Sequence, residues 1–532
     1  MKSLEKTYPI DIYGVKRIGI EKWLSNYYLP VGGDEFKKIE DDVLHAYMKG
    51  VAECKDKDVY WILVSNIKIP RLITVYIMYL LRLVRLKERG YKYVISSKKD
   101  NMPIDLSDFE LTKVKGYHAI DSNVFHEKLW SRIKCLQRTI KYNLSVSSNI
   151  NGSLFGNFLK PYFIIGSRKQ DEVLSFCNEH GILPLVLIPT LFCGKNVDKV
   201  KFDLRLNELV DFSDKYVDAI SRKYPVLCNI ASTLKGRIGT NLIASSAYYF
   251  KVRGLFQRMQ NKTLLATGLG NKLNKLFCAA WKSLGNEVVG FAHGNSYCNI
   301  YHRYCVINDG MPVVNRFIAT SQGQEMLLNE VASDLSYNME MPRIECLKSN
   351  EYHTLFLDLQ KHHLVKRVKK VMINGIGFKS TYHMVYTGYH PFVKHELVLR
   401  LARVLKTAGF YVIYKARPDS VNEIEGLFDE YIDEILTERF EEVFHAADCI
   451  IFINSYTTTF GFALLTNRPI VLLNIKGAPW HPRAFGLLKK RCNIVEADYR
   501  DDRVVFDENE LLDAIETSPD NIEYDILHEF AF

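Results

Sequence analysis

No C-x-x-C pair occurs among the eleven cysteines, which are scattered from Cys54 to Cys492 and odd in number. That excludes the common paired zinc and redox motifs and argues against a disulfide framework; reduced, mostly buried thiols of a cytoplasmic protein are expected. No Lys/Arg block is present, and 70 basic against 61 acidic residues leave a formal charge of only +9. A nucleic-acid partner is therefore not expected, whereas an anionic ligand or an anionic membrane surface suits the mild excess. The opening "MKSLEKTYPIDIYG" lacks the apolar core of a secretory leader. The longest apolar run, "IPRLITVYIMYLLRLVRLKERG" (69–90), is cut by Arg71, Arg82 and Arg85. It falls short of the roughly 20 apolar residues that span a bilayer. It reads as a core helix with a basic end, with a basic amphipathic contact to a membrane surface as the second reading. Fixed-period repeats and low-complexity tracts are absent as well.

What remains is a globular chain of 532 residues, 47% hydrophobic and 12% aromatic, long enough for two or three domains. Four apolar runs in the first two thirds read as parallel strands: "VYWILVS" (59–65), "YFIIGS" (162–167), "LPLVLIP" (183–189) and "KTLLATG" (262–268). Helical patterns closed by glycine lie between several of them, which predicts an open α/β sheet covered on both faces. The unit at 262–293 is the clearest, running strand, "GLGN" turn, helix, then the strand "EVVGFA" that ends at His293. A second α/β block starts near residue 369, with strands at 368–377, 411–420, 449–453 and 470–474 and a helix at 395–410. The polar stretch 333–356 between the blocks reads as a linker. A final helix is expected at 508–518, with an aromatic tail able to return to the first domain. The division expected is 1–355, 356–500 and a tail of 501–532.

Parallel sheets bind ligands at the carboxyl ends of their strands, so strand-end residues carry the chemistry. In "VVGFAHGNSYCN" an apolar strand delivers His293, then Gly294 and Asn295. A neutral imidazole there can accept a proton from a hydroxyl, or it can simply bond to nearby backbone. In the second block, "NSYTTTFGFALL" sets Asn454, Ser455, Thr457, Thr458 and Thr459 between a strand and a helix. Hydroxyls and N–H groups at a helix start make an anion site that exceeds an ordinary N-cap, which needs one hydroxyl. "YKARPDS" puts Lys415 and Arg417 at another strand end as counter-charges. "NGIGFKS" offers Gly375 in a backbone nest and Lys379, without the ending of a P-loop.

Three other features point elsewhere and are set aside. "VGGDEFKK" (31–38) spells the signature string of diguanylate cyclases, but a helical pattern follows it where that family has a hairpin. "GLGNKLN" (268–274) lacks the spacing of a dinucleotide fingerprint. Cys298, His302 and Cys305 near His293 match no common zinc spacing. Asp309, in "INDGMP", reads first as a turn residue and only second as a site residue.

The order of these parts resembles GT-B glycosyltransferases of the bacterial surface-polysaccharide type. It is similar in outline to capsule and lipopolysaccharide transferases for Kdo and sialic-acid-like sugars, and to CDP-glycerol glycerophosphotransferases. "FAHG" (His293, Gly294) matches a strand that ends in His-Gly there. "ADCIIFINSYTTTFGFALLTNRPIVLL" (447–473) matches a segment that leads from D-x-I-I and a serine pair into ALLxxxPIVLL. Two departures stand out: Ala416-Arg417-Pro418 replaces a strand-end His-Pro, and His390-Pro391 is a His-Pro pair before a helix instead. The resemblance covers about 260–475. It implies two Rossmann-like domains facing each other across a cleft. A nucleotide sugar would lie on Gly375, Lys379, Lys415, Arg417, Ser455, Thr457, Thr458 and Thr459, with His293 and Asn295 on the acceptor side. No metal and no cofactor beyond the nucleotide-sugar substrate are implied. The donor would be a CMP-activated Kdo or nonulosonate, with UDP-, GDP- and dTDP-sugars left open. The acceptor would be a glycan or lipid-linked glycan, reached from the cytoplasm with a peripheral contact on the inner membrane face. CDP-polyol phosphate transfer and a non-catalytic glycan-assembly role are the alternatives.

Overall fold

The computed structural model describes residues 7–9, 12–25, 27, 28, 30–94, 162–166, 171–182, 184–192, 199–292, 310–333, 339–347, 351–375, 391–417, 421–428, 430–453, 457–476, 478, 480–500 and 503–530. The chain opens with β1 (Thr7–Pro9), α1 (Ile12–Ile18) and α2 (Ile20–Ser25), then α3 (Gly33–Ala52), α4 (Lys57–Ser65), α5 (Lys68–Glu88) and β2 (Lys92–Val94). The run 59–65, expected to be a strand, lies inside α4. Asp56 caps that helix by accepting from the N–H groups of Asp58 and Val59 at 2.7 and 3.1 Å. A short apolar run buried on every side carries no period that separates strand from helix, and the cap decides it. The string "GGDEF" falls at the start of α3, a helix as expected. In α5 the reading as a core helix holds: Arg82 is buried and donates to Pro9 O, and Arg85 forms a two-pronged pair with Glu35 at 2.7 Å.

The first sheet is built from β3 (Tyr162–Ile165), α6 (Asp171–His180), β4 (Leu185–Val186), α7 (Lys199–Lys223), α8 (Ala231–Phe256), β5 (Thr263–Ala266), α9 (Lys272–Ser283), β6 (Glu287–Phe291), β7 (Arg316–Ala319), α10 (Gln322–Ser333) and β8 (Arg343–Cys346). Its order is β4-β3-β5-β6-β7-β8, and every pairing is parallel. The stretch 333–356 is thus not simply a linker. Its "RIEC" is the edge strand β8, whose three-in-four exposed or half-exposed positions hide the apolar signal that buried strands show.

The second sheet follows α11 (Glu351–Leu359). Its elements are β9 (Lys370–Asn374), α12 (Pro391–Thr407), β10 (Tyr411–Lys415), β11 (Glu434–Leu436), β12 (Cys449–Phe452), α13 (Thr458–Leu465), β13 (Ile470–Ile475), α14 (Pro482–Arg491), β14 (Asn493–Arg500), β15 (Arg503–Phe506), α15 (Glu508–Thr517) and α16 (Asp525–Phe530). The order is β11-β10-β9-β12-β13-β14-β15, parallel except for β14 with β15. β12 and β13 are buried at every position because helices cover both faces. On one face Val371 and Ile373 of β9 pack with Val393, Leu397, Val398 and Leu401 of α12. On the other, Met372 and Phe452 pack with Phe460 and Leu464 of α13.

Two Rossmann-like α/β domains result, the GT-B-like class expected. Segments at both ends of the chain bear on how they are joined. Tyr8, Val15 and Trp23, early in the chain, share the core of the second sheet with α12. Late in the chain, α16 packs on α14 and also on α10 of the first domain, where Ser321 Oγ donates to Phe530 O. His481 Nε2 lies 3.1 Å from Glu330 Oε2 across the same contact. Among the described residues no helix is long and apolar enough to cross a membrane.

Candidate functional site

In a doubly wound sheet the ligand crevice opens where strand order reverses, at the carboxyl ends of the two central strands. In the first sheet that point lies between β3 and β5. Gly166, just past β3, has φ +92°, and a Cβ there would come within 2.2 Å of Thr267 Oγ1 and 2.5 Å of Thr267 O. Only glycine allows this approach. The "GLGN" turn is closed on itself. Asn274 Nδ2 donates to Thr267 O and Gly268 O, and Asn271 Oδ1 caps the N–H of Leu273 at 2.8 Å. Its polar groups serve the turn, so its failure to match a dinucleotide fingerprint has a structural reason.

One strand along, β6 ends at Phe291, and the N–H of Ala292 donates to Ile318 O at 2.9 Å. His293 is the next residue. His293 and Asn295 lie outside the described residues, as do Cys298, His302, Cys305 and Asp309. The chain is described again at Gly310, which has φ +78° and sits so close that a Cβ would be 2.9 Å from Cβ of Leu269. Both anchors of the 293–309 segment are thus at the carboxyl edge beside the crevice. The end of β7, by contrast, is filled by the chain itself: a Cβ on Gly323 would be 2.3 Å from Glu529 O and 2.6 Å from the Phe530 ring.

In the second sheet the reversal lies between β9 and β12, with β10 alongside. Topology therefore gathers the described candidates at one edge: Gly375 after β9, Lys415 and Arg417 at the end of β10, and Thr457, Thr458 and Thr459 after β12. Lys379, Asn454 and Ser455 lie outside the described residues. Gly375 donates its N–H to Lys415 O at 2.9 Å, and a Cβ would be 2.3 Å from that oxygen and 2.6 Å from the Tyr414 hydroxyl. Gly375→Ala should therefore cost about 1–3 kcal/mol in a urea titration, through overpacking; an unchanged midpoint would contradict this reading of the strand end.

Lys415 is 4% exposed, and its Nζ donates to Ala416 O at 2.5 Å. Burial lowers its pKa, opposed by Glu438 and Glu441. It shapes the strand end more than it presents charge to solvent. Asn374, its partner in register on β9, is also buried. Arg417 is exposed.

Thr457 is the N-cap of α13, its Oγ1 accepting from the N–H of Phe460 at 3.0 Å. Thr458 and Thr459 are the first two residues of the helix, where the N–H groups have no partner four residues back. Thr458 is exposed and Thr459 half-buried. At the other end of α13, the Arg491 guanidinium donates to Ala463, Leu464, Thr466 and Arg468 carbonyls at 2.6–3.1 Å. Gln360 Nε2 takes the carbonyl of Leu465 at 2.8 Å. A cation at the carboxyl end and a hydroxyl cap at the amino end both favour the helix dipole. Arg491 and Asn374 were not singled out by sequence, because neither stands in a motif. Arg491 ends the basic run "LKKR".

The edge is chemically suited to an anion: a helix amino terminus, hydroxyls and an exposed guanidinium follow strands of one sheet at their carboxyl ends. Among the described residues no group of three or more His, Cys, Asp or Glu is placed to hold a metal ion.

No family model and no curated protein matches this chain. Among solved structures, Phytolacca americana UGT2, complexed with UDP-2-fluoro-glucose and pterostilbene, is similar at 12% identity and a TM-score of 0.33, over 70% of this chain and 92% of that one. Anabaena Alr3699/HepE, in complex with UDP and glucose, is similar at the same identity and TM-score, over 70% of this chain and 95% of that one.

Proposed function

We propose that the protein is a metal-independent glycosyltransferase that moves a sugar from a nucleotide-activated donor to a hydroxyl of a bacterial surface glycan or glycolipid. The observation that carries this reading is the amino end of α13, with Thr457, Thr458 and Thr459, at the strand-order reversal of the second sheet, with Arg417 at the same sheet edge after β10. A leaving nucleotide phosphate develops negative charge, and prearranged N–H groups, hydroxyls and a guanidinium stabilise it without a metal ion. Ser455 and Lys379 belong to the same donor side. His293, with Asn295 beside it, acts on the acceptor side, the imidazole taking the proton of the attacking hydroxyl in an inverting reaction. The donor proposed is a CMP-activated Kdo or nonulosonate, whose sugar carboxylate suits the basic strand end. The acceptor is a glycan or lipid-linked glycan, reached from the cytoplasmic side with a peripheral membrane contact.

The test is a thermal-shift screen against CMP, CDP, UDP, GDP and dTDP, because a ligand that binds only the folded protein raises its apparent stability. Stabilisation by CMP alone supports the proposed donor, and stabilisation by another nucleotide replaces it. If none of the five stabilises the protein, the non-catalytic assembly role takes the place of this reading. Arg417→Ala should weaken the stabilising nucleotide about tenfold, through loss of a charge-assisted hydrogen bond, and Thr458→Ala by less. Calorimetric affinities unchanged in both variants would remove α13 from the donor site.

A further inference from the structure

Lys394 belongs to the first turns of α12, which Pro391 opens. Its place in the stripe with Leu397, Val398 and Leu401 turns it inward, and it is only 5% exposed. Its Nζ is buried and has no hydrogen-bond partner among the described residues. Helical side chains lean back toward the amino end of their helix. The ammonium is thus carried toward the start of α12, which follows β9 and so lies at the same carboxyl edge as Gly375.

Its charged surroundings add cations. Burial foremost, and Arg71 on α5 in the same direction, push the ammonium down to about 7. Glu40 on α3 lies in the field of the same guanidinium, and burial holds its carboxyl well above the usual range. On α12 itself, Glu396 is committed to Arg400 at 3.0 Å. A buried lysine with no hydrogen-bonded counter-charge among the described residues costs stability unless something supplies one.

We infer that Lys394 and the amino end of α12 form an oxyanion site for a second anionic group of the donor, on the opposite face of the sheet from α13. This rests on the donor reading above and extends it. α12 and α13 pack on opposite faces of β9 and β12, so their amino ends flank the crevice from either side. A donor with two anionic groups, either a nucleoside diphosphate or a nucleoside monophosphate joined to a sugar acid, spans them. One group meets the hydroxyls after β12 and the other meets Lys394, which is charged when that group is bound.

The experiment uses the full chain and two variants, Lys394→Met and Lys394→Gln, with inorganic pyrophosphate, CMP and CDP at matched ionic strength. Lys394→Met should raise the melting temperature without ligand, since an apolar chain of similar length replaces an unpaired ammonium. Both variants should lose the stabilisation by pyrophosphate, and CDP should lose its advantage over CMP. Equal stabilisation of wild type and variants by pyrophosphate would overturn the inference, as would no stabilisation of wild type by pyrophosphate. In either event stabilisation by a nucleotide would leave the donor reading standing. Pyrophosphate binding lost in the variants, with no nucleotide bound by wild type, would uphold the site and sink the donor reading.

Discussion

Replacing Arg491 with leucine should lower the unfolding free energy by about 3–5 kcal/mol. The guanidinium is completely buried, and four carbonyl oxygens depend on it. Two of these, Ala463 and Leu464, belong to the last turn of α13, where carbonyls have no partner within the helix. Thr466 and Arg468 lie in the turn that leads to β13. Leucine leaves these oxygens facing apolar surroundings, each at a cost of about 1–3 kcal/mol where water cannot reach. Ala463 O is largely spared, because the N–H and the hydroxyl of Thr466 both donate to it, at 3.1 and 2.8 Å. Lysine keeps the charge but not the planar fork, so Arg491→Lys should recover only part of the loss. The consequence reaches the site. α13 is held at its carboxyl end by Arg491 and Gln360, and its amino end presents Thr458 and Thr459. Arg491→Lys should therefore weaken the stabilising nucleotide while the protein remains folded. Urea titrations of the two variants, with nucleotide affinity measured on the lysine variant, check both parts; a loss under about 1 kcal/mol for leucine would deny the guanidinium this role.

Much of this architecture was legible because buried parallel strands write themselves plainly. "CIIF" and "IVLLN" are apolar at every position since both faces are covered, and the glycine and hydroxyl turns after them mark the ends where ligands collect. The same rule misled at 59–65. There "VYWILVS" is equally apolar and equally short, but Asp56 starts a helix wedged between α8 and α9. It failed in the other direction at β8, where an edge strand with Arg343 and Glu345 pairing on its surface reads as polar linker.

The candidate site divides along similar lines. Thr457, Thr458 and Thr459 were visible because several hydroxyls precede an apolar helix, although the structure spends the Thr457 oxygen on capping. Lys415 was visible as a strand-end cation, yet it is folded inward onto Ala416 O. Periodicity does not report which way a terminal lysine turns. Lys394 and Arg491 were hidden for a third reason. Each is a basic residue in a helix, and only the structure shows Lys394 buried on the apolar stripe of α12 and Arg491 buried against the turn after α13.

His293→Ala should reduce turnover by about 100- to 10,000-fold, the usual contribution of a positioned general base. The case rests on where the chain is pinned. The N–H of Ala292, one residue earlier, is bonded to Ile318 O, so the strand holds its alignment to its last residue before the histidine. Gly310 returns against Leu269 in the turn after β5, next to the reversal point of the first sheet. The described residues that flank the segment, Ala292 and Gly310, thus both lie at the carboxyl edge of the first sheet. The end of β7 is occupied by Phe530 and Glu529, which leaves β3, β5 and β6 to form that face. A base must be neutral to accept a proton, so turnover by wild type should fall as the solution is made acid. The alanine variant should lose that dependence and keep its nucleotide-induced thermal shift. Asn295→Ala, which leaves the proposed base in place, should cost less and retain the acid limb. Turnover unchanged in His293→Ala would remove the imidazole from the proton transfer. A lost nucleotide shift in that variant would move His293 to the donor side of the cleft, where it would meet the leaving phosphate and not the acceptor.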